Sequence, residues 1–270
     1  MSMLLSVIIP TFRRPALLAE AIRSVLDETG PDTEIIVMDD SPEGSARDVA
    51  EGFGEARVRY CMNPTPSGGR PAAVRNLAYR HATGRYLHFL DDDDRIATGA
   101  YQAMIDALEK NPDAGVAYGW VVPFGNNPKI CAEKTDYFTR AAQIASKSSR
   151  LRTVALILFR GALMVNSACM IRRELFETLG GYDPEIAYYE DVEFWMRAIR
   201  RYGHVYVNRP ILNYRVGSSS LMHDLQEDWV PVMESYRIIH RKYKERHGMA
   251  EYALLKLFSL TLPSVIPVKA

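Results

Sequence analysis

Four consecutive aspartates, Asp91 to Asp94, stand directly behind the apolar run Tyr86 to Leu90. Adjacent carboxylates repel one another, and four of them stay ionised cheaply only beside a cation. A carboxylate-only oxygen set suits Mg²⁺ or Mn²⁺, hard ions that also bind substrate phosphates and keep several waters. No cluster of His or Cys accompanies the run, which argues against zinc. The plain alternative is a solvated acidic turn. A buried strand immediately before the run weighs toward a metal, because the strand would fix the carboxylates instead of letting them splay.

Those carboxylates need elements to hold them. Leu4 to Pro10 is a short β-rich apolar run closed by proline, and Thr33 to Ser41, Arg57 to Asn63 and Arg85 to Leu90 read as further strands. Between them, Pro15 to Glu28 carries apolar residues at helical spacing, and a second helix starts near Pro71 and stops at Gly84. Strand–helix alternation with near-continuous apolar strands predicts a parallel sheet covered by helices, with ligands at the carboxyl ends of the strands. Three polar clusters follow strand ends: Thr11 to Arg14, Asp39 to Ser41, and Asp91 to Asp94. Any one alone reads as a turn or cap; the three together mark a site.

The second half is less regular. Ala100 to Lys110 predicts a helix and Gly115 to Gly125 a strand with its turn. Residues 126–151 are polar and lack a clear period, and are expected to form a long loop with helical pieces that acts as a mobile lid. Ala162 to Gly203 reads as a strand, a short helix, a Gly180–Gly181 turn and a helix from Glu190, and His204 to Val216 as a strand pair. From Gln226 onward the pattern is helical, with a basic stretch followed by an apolar one. That extension is expected to pack on the domain or form a dimer contact, with peripheral contact to anionic membrane as the rival reading.

Composition bounds the function. The 270 residues can bury a real core, and equal numbers of basic and acidic residues argue against a general nucleic-acid binder. The basic residues are mostly Arg, whose planar fork suits phosphate. Cys61, Cys131 and Cys169 fit no metal spacing and read as reduced thiols. The N-terminal apolar run stops at Pro10 and the run Val154 to Phe159 stops at Arg160, so neither a signal peptide nor a membrane span is expected. The expectation is a cytoplasmic protein, with peripheral contact at the inner face of the membrane as its membrane-bound variant.

The stretches SVIIPTFRR, EIIVMDDSPEGS, SGGRPAAVRN, GRYLHFLDDDD and GGYDPEIAYYEDVEFWMRA resemble, in this order, the family 2 glycosyltransferases. The likeness spans residues 4–220. It implies an α/β GT-A fold, with a Rossmann-like nucleotide-binding half (1–98) and an acceptor half (99–222) on a mixed central sheet, plus C-terminal helices (223–270). The implied activity is inverting, metal-dependent transfer of a sugar from a UDP-, dTDP- or GDP-linked donor to a glycan, lipid-linked or small-molecule acceptor. Asp91 and Asp93 match the family's Asp-X-Asp motif and would hold Mn²⁺ or Mg²⁺, with Asp92 near the ribose or sugar. Pro10, Thr11 and Arg13 match the loop lining the nucleotide, Asp39 the acid facing the base, and Arg75 and Asn76 the loop–helix near base and phosphates. Asp191 matches the general base, with Glu190 beside it and Tyr189 and Trp195 as acceptor-side or supporting residues.

The physics agrees with those roles. Bond cleavage leaves charge on a nucleoside diphosphate, which a cation and Arg stabilise, and inversion needs a carboxylate on the opposite face. Asp191 opens a predicted helix whose dipole would make it more acidic, so burial or Glu190 has to offset that effect; the rival reading makes the pair a simple helix cap. His88 and His204 read as structural, and His223 as a substitute for the His that relatives often carry after the Arg of NYRVG. A nucleotidyltransferase is the competing enzyme, although PTFRRPALL lacks a glycine-rich phosphate loop. A silent glycan-binding module of the same fold would need neither acid cluster.

Overall fold

The computed structural model describes residues 4–161, 163–217 and 229–264. Strands β1 (Leu5–Thr11), β2 (Thr33–Asp39), β3 (Val58–Met62) and β4 (Tyr86–Phe89) form a parallel set, with β1 between β2 and β4. The sheet continues through β5 (Arg95–Ile96), β6 (Val116–Phe124), β7 (Cys169–Arg172) and β8 (His204–Arg215) in the order β3-β2-β1-β4-β7-β6-β8-β5. Because β7 runs antiparallel to both β4 and β6, the sheet is mixed and crosses both expected halves.

Helices α1 (Pro15–Glu28), α2 (Arg47–Gly52), α3 (Pro71–Ala78) and α4 (Ala100–Lys110) connect the first six strands. Alternate strand residues serve opposite faces. Val7, Ile9, Ile35 and Val37 join Leu18, Ile22 and Met104 of α1 and α4, whereas Ile8, Ile36 and Met38 join Val74 and Ala78 of α3. Burial on both faces is why these strands are apolar at nearly every position. Helix α3 ends at Ala78 and continues only as a 3-10 turn, Tyr79–His81, so Gly84 is no helix stop. Gly84 is instead a point of close approach: a Cβ there would lie 2.5 Å from the Ser6 backbone nitrogen.

Two expectations are corrected. Residues 126–151 are no loop: they form α5 (Pro128–Ala145) and open α6 (Arg150–Phe159). Asn127 caps α5 by accepting from the Lys129 and Ile130 amides, Pro128 takes the first turn, and Phe138, Ala141, Ile144 and Ala145 give it a buried stripe. That stripe occupies only the last two turns, which is why the segment looked aperiodic. His204 to Val216 holds one long strand, not a pair. Its pairing with β6 shifts register around Trp120, opposite Pro210, where an irregularity accommodates a residue with no N–H to give.

After β7 come α7 (Arg173–Leu179), α8 (Glu190–Tyr202) and, following β8, α9 (Val230–Ser259). Helix α9 is broken at Gly248 (φ 84°, ψ 160°), and Ile239, Tyr243 and Leu255 enter the core. Lys242 pairs with Asp183 at 2.6 Å and Arg200 of α8 with Glu251 at 2.7 Å, so the extension packs on the domain. Among the described residues no helix is long and apolar enough to cross a membrane.

Candidate active site

The parallel strands deliver their polar ends to one edge. Thr11 and Asp39 are direct neighbours in the β1–β2 register, and the aspartate run begins two residues after β4. The four carboxylates divide into two kinds. Asp92 and Asp94 point into protein and are buried, while the side chains of Asp91 and Asp93 keep 35% and 15% exposure. Asp92 accepts from the Thr11 hydroxyl at 2.7 Å, and burial pushes its pKa up to about 7. Asp94 accepts from the Arg215 amide at 2.9 Å, and burial, reinforced by Asp93 and Asp91, holds it well above the usual carboxylate range. Among the described residues its Oδ2 has no hydrogen-bond partner. Burial thus disfavours charge on the inner acids, while the outer ones meet cations: Arg75 meets Asp91 at 2.6 Å and Arg14 meets Asp93 at 3.2 Å.

Arg75, on α3, is the hinge of the site. One terminal nitrogen donates to Asp91 and the other to Glu190 at 2.9 Å, with the guanidinium 5.5 Å from the centre of the Tyr182 ring. Burial disfavours its charge, but Asp91, Tyr182, Glu190 and Asp191 outweigh that and raise its pKa further. Glu190 and Asp191 open α8 behind Tyr189, which sits in the left-handed region (φ 61°) at the cap position without a capping side chain. Asp191 accepts from the adjacent Val192 amide at 2.8 Å. Burial first, then Asp191, raises Glu190 to about 7, and burial raises Asp191 against the pull of Arg75. Burial therefore wins over the helix dipole at this terminus.

The other expected residues are placed as follows. Pro10 lies in β1 opposite Met38. Arg13 (φ 57°) pairs with exposed Glu43 at 2.8 Å rather than with the aspartates. Asp39 is fully buried, and its two oxygens accept the Ser41 amide and hydroxyl, the Ala46 amide and the Tyr60 hydroxyl. In this conformation it organises the β2–α2 loop and presents no surface to a base. Asn76 is spent on Tyr182, donating to its carbonyl at 2.8 Å and accepting from its amide at 2.9 Å. That clasp needs glycine beside it: Gly181 has φ 75°, and a Cβ there would lie 2.5 Å from the Asn76 carbonyl oxygen. Trp195 is core, its indole donating to Asn166 at 3.2 Å. His88 is buried between Tyr101 and the Ser167 carbonyl, and His204 bonds Thr153. His223 lies outside the described residues.

Four residues that sequence reasoning did not assign complete the site. Arg14 contacts both Asp92 and Asp93, and Ser167 accepts from the Asp91 amide at 3.0 Å. Arg215 donates to the Asp93 carbonyl at 2.9 Å, tying β8 to the aspartate turn. Asp40 gathers Asn63, Ser67 and the Gly69 amide, shaping the loop before α3. In the sequence Arg14 is the last member of the Thr11–Arg14 cluster, which does not say which of its two arginines turns inward. Among the described residues no group of three or more His, Cys, Asp or Glu is arranged to hold a metal.

At one edge of this mixed sheet an acid run is joined through one buried arginine to a second acid pair. Residues 6–180 match the family described as Glycosyl transferase family 2, and the chain belongs to that family. It is 33% identical over 124 residues to the GalNAc(5)-diNAcBac-PP-undecaprenol beta-1,3-glucosyltransferase of Campylobacter jejuni, over 45% of this chain and 37% of the relative. The match thus spans little more than a third of that enzyme. A fuller alignment, 24% identical and covering 91% of this chain and 90% of the relative, is to the putative teichuronic acid biosynthesis glycosyltransferase TuaG of Bacillus subtilis. The fold is shared with S. aureus TarS 1–349 in complex with UDP-GlcNAc, at a TM-score of 0.71 and 19% identity over 95% of this chain and 71% of that one.

Proposed function

We propose that this chain transfers a glycosyl group, with inversion, from a uridine diphosphate sugar to the hydroxyl of a lipid-linked or glycan acceptor. The observation that carries the reading is the Arg75 bridge, which ties Asp91 of the aspartate run to Glu190, the neighbour of Asp191. A donor diphosphate at the outer aspartates and an acceptor hydroxyl at Asp191 are thereby held in one frame. UDP is favoured because TarS was solved with UDP-GlcNAc, and a lipid-linked acceptor because the Campylobacter relative is named for one.

Asp191 takes the acceptor proton as the hydroxyl oxygen bonds the sugar carbon and the bond from that carbon to the donor phosphate breaks. Arg14 and Arg75 bring positive charge to the edge where the diphosphate departs. The donor set fits a hard cation: Asp91 keeps Oδ2 without a partner among the described residues, and Mg²⁺ commonly takes one or two carboxylates plus substrate phosphates. Asp91 and Asp93 would hold Mn²⁺ or Mg²⁺, which when bound neutralises charge on the leaving diphosphate.

Thermal shift with UDP-, dTDP- and GDP-sugars tests the donor; stabilisation by UDP-sugars is expected, and none by any of them sinks the reading. Release of nucleoside diphosphate in the presence of acceptor separates an enzyme from a silent binding module. Metal dependence has its own test. Chelation and Asp93→Ala are each expected to weaken UDP binding by about tenfold or more, or ~1.4 kcal/mol; equal affinity in chelator and in Mn²⁺ removes the metal from the scheme.

Burial also sets an expected pH profile. The base works as a carboxylate; burial raises the pKa of Asp191, and it raises the partner Glu190 to about 7. Transfer should therefore be lost as pH falls through this raised range, well before ordinary carboxylates protonate. An acid limb of kcat/KM at an ordinary carboxylate pKa would contradict the buried pair as the titrating base.

A further inference from the structure

Between the end of α6 and the first stretch of α9 lies a cavity of about 690 Å³. Ile157, Phe159 and Met233 supply an apolar wall. Arg160, Arg237, His240 and Lys244 supply a basic one, and among the described residues no carboxylate lines the cavity. The volume lies within the range of small-molecule sites, ~300–1,000 Å³. None of these residues belongs to the aspartate run or its partners.

The positive charge here is largely unspent. Lys244 has no carboxylate at ion-pair distance among the described residues and lies 4.9 Å from the centre of the Tyr252 ring. Arg160 uses only its Nε, which donates to the Ser259 carbonyl at 2.7 Å, leaving its terminal nitrogens unbonded among the described residues. Arg237 pairs with Glu234 only at an exposed position. Burial, then Lys244 and Lys256, keep His240 below its ordinary pKa. Concentrated cations against an apolar wall recognise a phosphate that carries an apolar chain. Exposed Leu254, Leu257 and Leu260 add an apolar stripe on and just beyond the second stretch of α9.

The cavity also adjoins the base. Tyr236 lines it and packs on Tyr189 with ring centres 5.1 Å apart, and Tyr189 immediately precedes Glu190 and Asp191. The Tyr188 amide donates to Ser235 of α9 at 3.2 Å, holding the two segments together. A ligand in the cavity is therefore one tyrosine pair from the carboxylates.

We infer that this cavity holds the phosphate end of an amphiphilic acceptor, a phosphate or diphosphate ester of a long apolar alcohol, with its sugar presented toward Asp191. The word acceptor rests on the transferase reading; binding itself does not. Calorimetry on the full chain with farnesyl diphosphate, in Mn²⁺ and saturating UDP to fill the donor edge, tests the site. Farnesol and inorganic diphosphate should each bind about tenfold more weakly or worse, and Lys244→Glu and Lys244→Gln should each weaken farnesyl diphosphate by about tenfold. Thermal midpoints and UDP affinity of the Lys244 variants separate loss of fold from loss of site, and UDP binding fails separately if the transferase reading is wrong. Equal affinity in wild type and both Lys244 variants overturns the site, as does inorganic diphosphate binding as tightly as the farnesyl ester. Binding to phosphatidylglycerol vesicles that depends on Lys244 and is not displaced by farnesyl diphosphate would make the face a membrane surface and overturn the inference.

Discussion

Asp191→Asn is expected to lower sugar transfer by ~10²–10⁴-fold, the usual worth of general-base catalysis, while UDP affinity stays near wild type. Asparagine keeps the shape and can still accept the Val192 amide, but it cannot take a proton from the acceptor. In the proposed function the donor contacts lie elsewhere, at Thr11, Arg14, Arg75 and the aspartate run. In the competing view Asp191 merely caps α8, where Tyr189 holds the cap position and Asp191 accepts from the Val192 amide of the first turn. That view predicts near-normal turnover. Calorimetry for UDP and transfer rate on the same variant decide between them, and retained turnover would move the base to Glu190.

Arg75→Met should cost ~3–5 kcal/mol of stability, as expected when one member of a buried ion pair is removed. Methionine fills most of the volume, so the loss comes from Glu190, which stays buried without its cation, and to a smaller degree from half-open Asp91. The sign of the pH dependence follows from Glu190. Its pKa is already raised to about 7 with Arg75 present. Below that pH the acid is neutral and loses little, whereas above it the unpaired charge is costly, so the penalty should grow as pH rises through neutrality. Arg75→Met combined with Glu190→Gln should recover part of the stability. Denaturant midpoints on the single and double variants measure this, and a single-variant loss below ~1 kcal/mol, the scale of exposed pairs, would mean that the bridge is not a buried pair in solution.

The residues proposed to do chemistry were legible in the chain because they sit at the ends of locally recognisable elements. Alternating burial on both sheet faces makes β1, β2 and β4 continuous apolar runs, and each run stops where its polar cluster starts. The helix α5 was not legible, since a stripe confined to Phe138 through Ala145 is too short to announce itself among eighteen helical residues. What the sequence by itself determined was the parallel set of strands, the position of the aspartate run at the edge of that set, and the acid pair opening α8. Periodicity and turn chemistry are local, and they suffice for those. Tertiary structure alone decided that Arg14 and not Arg13 meets the aspartates, that Asp39 is consumed by its own loop, and that Arg75 reaches Glu190 across 115 residues of chain. It also decided that Asp92, Asp94, Glu190 and Asp191 are raised in pKa, because burial depends on which elements the sheet order stacks above a side chain, and nothing in the spacing of neighbouring residues encodes that.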